Sequence, residues 1–358
     1  MEASVLSILK NFAAESEPVS YEEYGCGHIN RSYLVTYADG SRCILQRIND
    51  RTFPDVDGLM ENIRRVTEHL RRRSEDERSV LTFLPTRDGG DYVRTDSGCW
   101  RLSRFVEGSL CLQSAETPAD FYESAVGFGR FQELLSDFDA AQLHEVIPHF
   151  HDTPDRFRIF HESLRRDAAG RAKDVQPDID FFLRREQKAG LLEGLRRSGA
   201  LPTRVTHNDT KLNNVLFDAA TRKALCVIDL DTVMPGLSLY DFGDAIRFGA
   251  STAAEDEQDL GKVSMSPVLF ESFTRGYLTA CPSLTEAEIE HLPGGARIIT
   301  LEIGLRFLTD YLDGDVYFAT HRPGHNLDRC RTQMKLVQDM EAKWEEMQRI
   351  VRNAGGKA

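Results

Sequence analysis

Arg204-Val205-Thr206-His207-Asn208-Asp209-Thr210-Lys211-Leu212-Asn213-Asn214-Val215-Leu216-Phe217 reads as a short apolar strand entering a polar loop, with a second apolar strand leaving it. A turn over residues 218–223 then gives Ala224-Leu225-Cys226-Val227-Ile228, which ends in Asp229-Leu230-Asp231. The pattern predicts that His207, Asp209, Asn214 and Asp229 converge at one end of a small β unit. Carboxylates and an amide gathered there are costly without a cation or a polar ligand to face. Taken singly, each side chain is accounted for by the capping of a local turn. The four together, between two apolar strands, point to a functional loop.

The spacing H-x-D-x-x-x-x-N followed by I-D-x-D is that of a phosphoryl-transfer apparatus, which asks a protein mainly for positioning and charge neutralisation. On that reading Asp209 accepts or orients the proton of an attacking hydroxyl. Asn214 and Asp229 supply the hard oxygen ligands that Mg2+ favours. His207 packs and hydrogen-bonds to hold the loop, with Asp231 and Asp244 also in supporting roles. Asp241-Phe242-Gly243 repeats the metal-binding triplet of protein kinases. The metal aspartate should, however, end the strand that pairs with the loop, which is the place of Asp229. Asp241 opens an apparent helix through Ile246 and Phe248, so it is expected to cap that helix.

Toward the N-terminus, residues 33–37 and 43–48 are β-rich runs around the turn Ala38-Asp39-Gly40. Leu59, Ile63, Val66 and Leu70 follow at helical spacing, and Arg71-Arg72-Arg73 close that helix at its electronegative end. Two more strands flank Asp96-Ser97-Gly98. Tyr24-Gly25-Cys26-Gly27-His28-Ile29-Asn30 is a glycine-containing turn whose backbone would approach phosphate closely. Gly25, Gly27 and Asn30 are therefore candidate nucleotide contacts, although Asn30 stands where a third glycine would complete the pattern. No G-x-x-x-x-G-K-[ST] is present, which argues against a P-loop enzyme. The third strand carries Gln46 and Arg47 where kinases place a phosphate-pairing lysine. If Ile44 faces the cleft, so does Gln46, and Arg47 faces away to pair with Glu61 or leave it solvated. Phe105-Val106-Glu107-Gly108 fits a hinge for adenine, with Glu107 its candidate contact.

After Gly108 the sequence turns helical: Phe121, Ala125, Phe128, Phe131 and Leu135 trace one face, and Val337, Met340, Trp344, Met347 and Val351 another. The fold class expected is α+β and protein-kinase-like. Residues 1–108 would form a small antiparallel-sheet nucleotide-binding lobe, and residues 109–358 a larger, mainly helical catalytic and substrate-binding lobe. Forty-four Lys plus Arg against 57 Asp plus Glu give a net charge of -13, which argues against nucleic acid as a partner. Seven scattered cysteines form no C-x-x-C pair, and no apolar run reaches the length of a membrane span. The expectation is a cytoplasmic protein with free thiols, no membrane association and no obligate protein partner.

These segments resemble the aminoglycoside phosphotransferase and choline kinase superfamily. The matching stretches are residues 24–30, 149–154, 206–214, 228–232, 241–244, 247–251, 314–315 and 317–319, and they span nearly the whole chain. The loop is common to the superfamily, while the flanking stretches are similar to those of the bacterial N-acetylhexosamine 1-kinases. The resemblance implies use of Mg2+ and ATP, with γ-phosphate transfer to the anomeric hydroxyl of N-acetylglucosamine or N-acetylgalactosamine. For that small-molecule sugar substrate the candidate contacts are His28, Arg306 and Tyr317. Glu302 and Arg306, four apart, are also placed for a helix salt bridge. His144, His149 and His151 resemble a metal cluster, but Pro148 interrupts the local geometry, which favours a structural or substrate-loop role. Two rival readings stand beside the sugar. One is a kinase of another hydroxyl compound, such as an aminoglycoside, choline or a different sugar; for a cationic acceptor Asp310, Asp313 and Asp315 would supply an acidic pocket. The other is a nucleotide-binding pseudokinase, which Gln46 favours and the intact Asp209, Asn214 and Asp229 oppose.

Overall fold

The computed structural model describes residues 5–25 and 30–356. The chain divides into two compact units, Met1–Leu110 with Asp137–Pro148 and Leu216–Pro235, and Cys111–Ser136 with His149–Val215 and Gly236–Ala358. The first unit is built on an antiparallel sheet of β1 (Pro18–Glu23), β2 (Arg31–Tyr37), β3 (Arg42–Ile48), β4 (Phe83–Leu84), β5 (Val93–Thr95) and β6 (Gly98–Arg104). Its order is β1-β2-β3-β6-β4, with β5 also on β6. The turn Ala38-Asp39-Gly40 closes β2 onto β3, and Gly40 takes the positive φ of 83° that such a turn assigns to glycine.

Strand alternation divides the sheet chemically. Cys43, Leu45, Trp100 and Leu102 join Val35 and Tyr37 beneath Ile8, Leu9 and Phe12 of the N-terminal segment. Burying each large apolar side chain there contributes about 1.5–3 kcal/mol. The opposite parity puts Gln46 of β3 directly across from Arg101 of β6. The helix Val56–Arg73 begins at the N-cap Asp55, which accepts the Gly58 N–H, and buries Leu59, Ile63, Val66 and Leu70. Its Asn62, fully buried, donates to the carbonyls of His144 and Val233 and accepts the His144 N–H. One amide thereby ties both later segments of this unit to its helix. Glu61 pairs with Arg65 and His144, and not with Arg47.

The second unit is mainly helical. The helix Pro118–Leu134 and its C-cap Leu135 bury the whole predicted stripe Phe121, Ala125, Phe128, Phe131 and Leu135. The helices Ser238–Gly249 and Glu286–Asp313 cross at glycines. A Cβ on Gly243 would lie 2.6 Å from the Gly295 carbonyl oxygen, and one on Gly295 would lie 2.4 Å from that of Leu239. The apolar stripe near the C-terminus is split between two helices, His325–Ala342 and Trp344–Ala354, rather than carried by one. The break falls at Lys343, whose ammonium binds Asp339, Ser264 and the Met265 carbonyl. No helix among the described residues is long and apolar enough to cross a membrane.

The glycine crossing sets a stability test. Gly243→Ala forces a methyl group into backbone that has no side chain to move aside, and should cost about 1–3 kcal/mol in urea denaturation. Gly194→Ala, in a helix with open space around the new methyl group, should be neutral or slightly stabilising.

Candidate active site

The polar loop lies in the second unit, held by its own backbone groups. His207 is fully buried, edge-on to Phe128 and Phe131 at ring centroids of 5.5 and 6.0 Å. Its Nδ1 accepts the Asp209 N–H at 3.3 Å. Asn208 adopts a left-handed backbone (φ 65°), a conformation that asparagine tolerates better than most residues. Asp241 explains why the loop holds this shape. Its two carboxylate oxygens accept the N–H groups of His207 (2.8 Å) and Asn208 (2.7 Å), and Gln132 donates to it at 2.9 Å. Thr210 donates its hydroxyl to the Asp241 carbonyl and its N–H to Asp244, which Arg247 pins from behind. The helix carrying Asp241 starts three residues earlier, at Ser238, and its N-cap Leu237 makes no side-chain cap. Asp241 is therefore a clamp on the loop and not the cap that the sequence pattern suggested. The other two residues of the triplet are explained by packing, Phe242 in the core and Gly243 at the helix crossing.

The Asp209 side chain, 24% exposed, points out of this frame and meets the Lys211 ammonium at 2.8 Å. Burial pushes the carboxyl up, but Lys211, with His207 and Arg247, outweighs burial and holds it below the usual carboxylate range. Lys211 is in turn held above its ordinary value, because Asp209 and Asp244 outweigh the effect of its own burial. Asn214 donates its amide to the Asp209 carbonyl (2.8 Å) and carboxylate (3.2 Å). That orientation commits the nitrogen and leaves the Oδ1 end as the acceptor available to a cation.

Asp229 and Asp231 lie in the first unit, and their environments differ. Asp229 is exposed and left-handed (φ 59°) at the end of the strand Ala224–Val227. Asp231 is buried, ion-paired with Arg101 and hydrogen-bonded by Asn30. Arg101 also donates to Gln46 Oε1 at 3.1 Å, while Gln46 donates to Ser32. A cation is thus present on the neighbouring strand, directly opposite Gln46. Asn30 commits both ends of its amide, since Oδ1 accepts the Asn49 N–H. Glu107 is exposed and ion-paired with Arg42. Gly25 has a φ of 85°, and Gly27 and His28 lie outside the described residues.

A second polar cluster in the helical unit borders the loop. His151 is buried, with Nδ1 2.9 Å from Glu302 and Nε2 3.2 Å from the Asn208 carbonyl. Glu302, wholly buried, also accepts the Thr153 hydroxyl at 2.6 Å. Burial pushes its carboxyl up, but His151, Arg306 and Thr153 together bring it below its ordinary value. Glu302 therefore spends its oxygens on His151 and Thr153, and the predicted ion pair with Arg306 does not form. Arg306 makes no ion pair or hydrogen bond among the described residues. Its guanidinium lies over three rings, Phe150, Tyr317 and Phe318, at 5.3, 5.8 and 5.5 Å. Arg156 donates to the Phe150 carbonyl at 2.8 Å, and its Nε is buried without a partner. Burial and the charge of Arg306 depress the Arg156 guanidinium.

The three acidic residues expected to supply an anionic pocket are all engaged. Asp310 accepts the N–H groups of Val316, Tyr317 and Phe318, fixing the aromatic segment. Asp313 is paired with Arg166, and Asp315 with Arg171. The three histidines separate as well: His144 is on Glu61, His149 faces Asp152 at 3.4 Å, and His151 is on Glu302. No group of three His, Cys, Asp or Glu side chains among the described residues is arranged to hold a metal ion.

A family model described as the phosphotransferase enzyme family matches residues 20–266. The chain belongs to this family. Three solved structures share its fold at low identity. A microcompartment-associated aminopropanol kinase is 19% identical, with a TM-score of 0.62, over 96% of this chain and 97% of that one. An aminoglycoside phosphotransferase from Alicyclobacillus acidocaldarius is 13% identical, with a TM-score of 0.61, over 100% and 97%. An amicoumacin kinase in complex with AMP-PNP and Ca2+ is 15% identical, with a TM-score of 0.62, over 95% and 92%. The phosphotransferase fold is protein-kinase-like, an antiparallel-sheet N-terminal region followed by a helical C-terminal part.

Sequence reasoning passed over four side chains of this phosphotransferase: Lys211, Arg101, Asp241 as a clamp, and Arg156. Lys211 carried a local signal, a cation two residues after Asp209 in a loop already singled out. Arg101 required the β3–β6 register, and Arg156 required the packing of distant helices. The clamp is testable. Asp241→Ala strands the buried N–H groups of His207 and Asn208, at about 1–3 kcal/mol each. Urea denaturation should show a loss of roughly 2–5 kcal/mol, and a change below about 0.5 kcal/mol would contradict the role given to Asp241.

Proposed function

We propose that this phosphotransferase moves the γ-phosphoryl group of ATP to the anomeric hydroxyl of N-acetylglucosamine or N-acetylgalactosamine. The observation that carries the sugar reading is the charge of the cluster bordering the loop. Arg156 and Arg306 form no ion pair there among the described residues, beside Phe150 and Tyr317, while Asp310 is spent on backbone N–H groups and Asp313 and Asp315 on outer arginines. Some solved neighbours are by name kinases of amines, such as aminopropanol and ethanolamine. A cationic acceptor about 4 Å from one guanidinium would be opposed by on the order of 4 kcal/mol at an effective dielectric of 20. A neutral sugar escapes that penalty. Its hydroxyl and acetamido oxygens are natural acceptors for guanidinium N–H groups, and its ring face suits Tyr317. Glucose, lacking the acetamido group, would leave such donors unpaired.

Asp209 would take or orient the anomeric proton, the most acidic of the sugar hydroxyl protons. Lys211 keeps that carboxylate ionised and would turn toward the transferring phosphoryl oxygens. Asn214 and Asp229 offer oxygen donors suited to Mg2+, which supplies charge neutralisation of the phosphates when bound. His207 and Asp244 support the loop. Residues 1–108 would bind the nucleotide, with Gly25, Gly27, Gln46 and Glu107 on that side. Asn30 and Asp231 act through Arg101 to hold its charge near Gln46. His28 remains a proposed sugar or phosphate contact, and the region from 109 onward would contain the acceptor.

Three outcomes follow. Asp209→Asn should lower kcat about 100-fold or more while ATP still binds. Phosphorus NMR of the wild-type product from N-acetylglucosamine should show the 1-phosphate; a 6-phosphate would overturn the regiochemistry, and turnover of amines in preference to sugars would overturn the acceptor class. The third outcome concerns pH. Removing the ammonium in Lys211→Met removes what depresses the Asp209 carboxyl, so its pKa rises. More of it is then protonated at acid pH, and the acid limb of kcat should move to higher pH than in the wild type. An unmoved limb would detach Lys211 from the ionisation of Asp209.

A further inference from the structure

Away from the loop, in the helical unit, lies a cavity of about 420 Å3 lined by Arg184, Arg185, Lys188 and Ala189, by the long helix Glu286–Asp313 and by the helix His325–Ala342. None of its lining residues takes part in the cluster described above. The charges around it do not cancel. Arg185 is spent on Glu341, which it meets through two nitrogens at 3.0 and 2.6 Å. Arg184, Lys188 and Arg297 remain, and none of their side chains forms a hydrogen bond or an ion pair among the described residues. Arg297 is half-buried, with its guanidinium 5.1 Å from the Trp344 ring; burial lowers its pKa and Glu341 opposes that. Three uncompensated cations around one cavity are notable in a chain of net charge -13. The floor, by contrast, is apolar, with Leu301 and Val337 buried.

We infer that this cavity binds a small phosphorylated organic anion, its phosphate among Arg184, Lys188 and Arg297 and its ring or alkyl body on Leu301 and Val337. A phosphate monoester carries about -1.5 to -2 charges and three acceptor oxygens near neutral pH, which matches three unpaired cations better than a single carboxylate does. Arginine forks suit phosphate geometry. The volume lies within the range of small-ligand sites, about 300–1,000 Å3. A polyanion is disfavoured by the acidic surface of the rest of the chain. The occupant would bear on the helix that also carries Glu302 and Arg306, since Leu301 directly precedes Glu302.

The test is calorimetric titration of the full-length protein with phenyl phosphate, in the presence of AMP-PNP and Mg2+ to fill the nucleotide site. One binding event is expected. Arg297→Gln and Lys188→Gln should each weaken it about tenfold, as loss of a charge-assisted hydrogen bond does. Lys188 is exposed, so that variant reads the charge without disturbing the core. Inorganic phosphate should bind more weakly, for want of the apolar contact, and benzoate more weakly still. The inference is overturned by the absence of a binding event, by affinity that both variants leave unchanged, or by displacement of phenyl phosphate with rising AMP-PNP. Inorganic phosphate binding as tightly as phenyl phosphate would overturn the organic body. These readouts are independent of the acceptor sugar, so they stand or fall apart from the proposed reaction.

Discussion

Asp241 gives one carboxylate to two consecutive backbone N–H groups, those of His207 and Asn208, and the loop is organised around that gift. Buried N–H groups must find acceptors, and at a turn with a left-handed residue no neighbouring strand can supply both. The helix Ser238–Gly249 brings the carboxylate to them. The same helix is then obliged to sit close to the long helix Glu286–Asp313, and only glycine at 243 and 295 allows that approach. Asp209 and Lys211 project from a backbone that is already satisfied, and their side chains pair with each other.

Charge placement follows a consistent rule on each unit. In the sheet, Arg101 of β6 binds Asp231 and Gln46, and Asn30 holds Asp231 in turn. Buried pairs of this kind are expensive to break from one side, at about 3–5 kcal/mol, because the remaining charge is left unpaired. Arg101 and Asp231 therefore constrain one another as strongly as any core residue does. In the helical unit the acidic residues are used to fix backbone and to neutralise outer arginines, while Arg306 is left with aromatic rings and Arg156 with the Phe150 carbonyl. The net acidity of the chain thus conceals two arginines without an ion-pair partner among the described residues.

Much of this was legible before the structure. The hairpin at residues 38–40, the helix Val56–Arg73 and the stripe from Phe121 to Leu135 follow from local period and turn chemistry, and each formed as read. The C-terminal stripe did not form as one helix, because Lys343 answers to oxygens on a distant segment and periodicity carries no information about that. Asp241 was taken for a cap because its helix was started three residues late, an error of the size expected at helix ends where no capping side chain marks the boundary.

Sequence alone determined the loop from His207 to Asn214, its flanking strands and the kind of chemistry its residue types suit, because those residues are neighbours and their spacing encodes their geometry. Tertiary structure alone decided which charges are available. Asp310, Asp313 and Asp315 have the same composition whether they line a pocket or hold backbone, and Arg101 becomes the partner of Gln46 only when β6 pairs with β3. Availability depends on what each group meets across long stretches of chain, and hydrogen-bond partners brought together by folding leave no mark in local order.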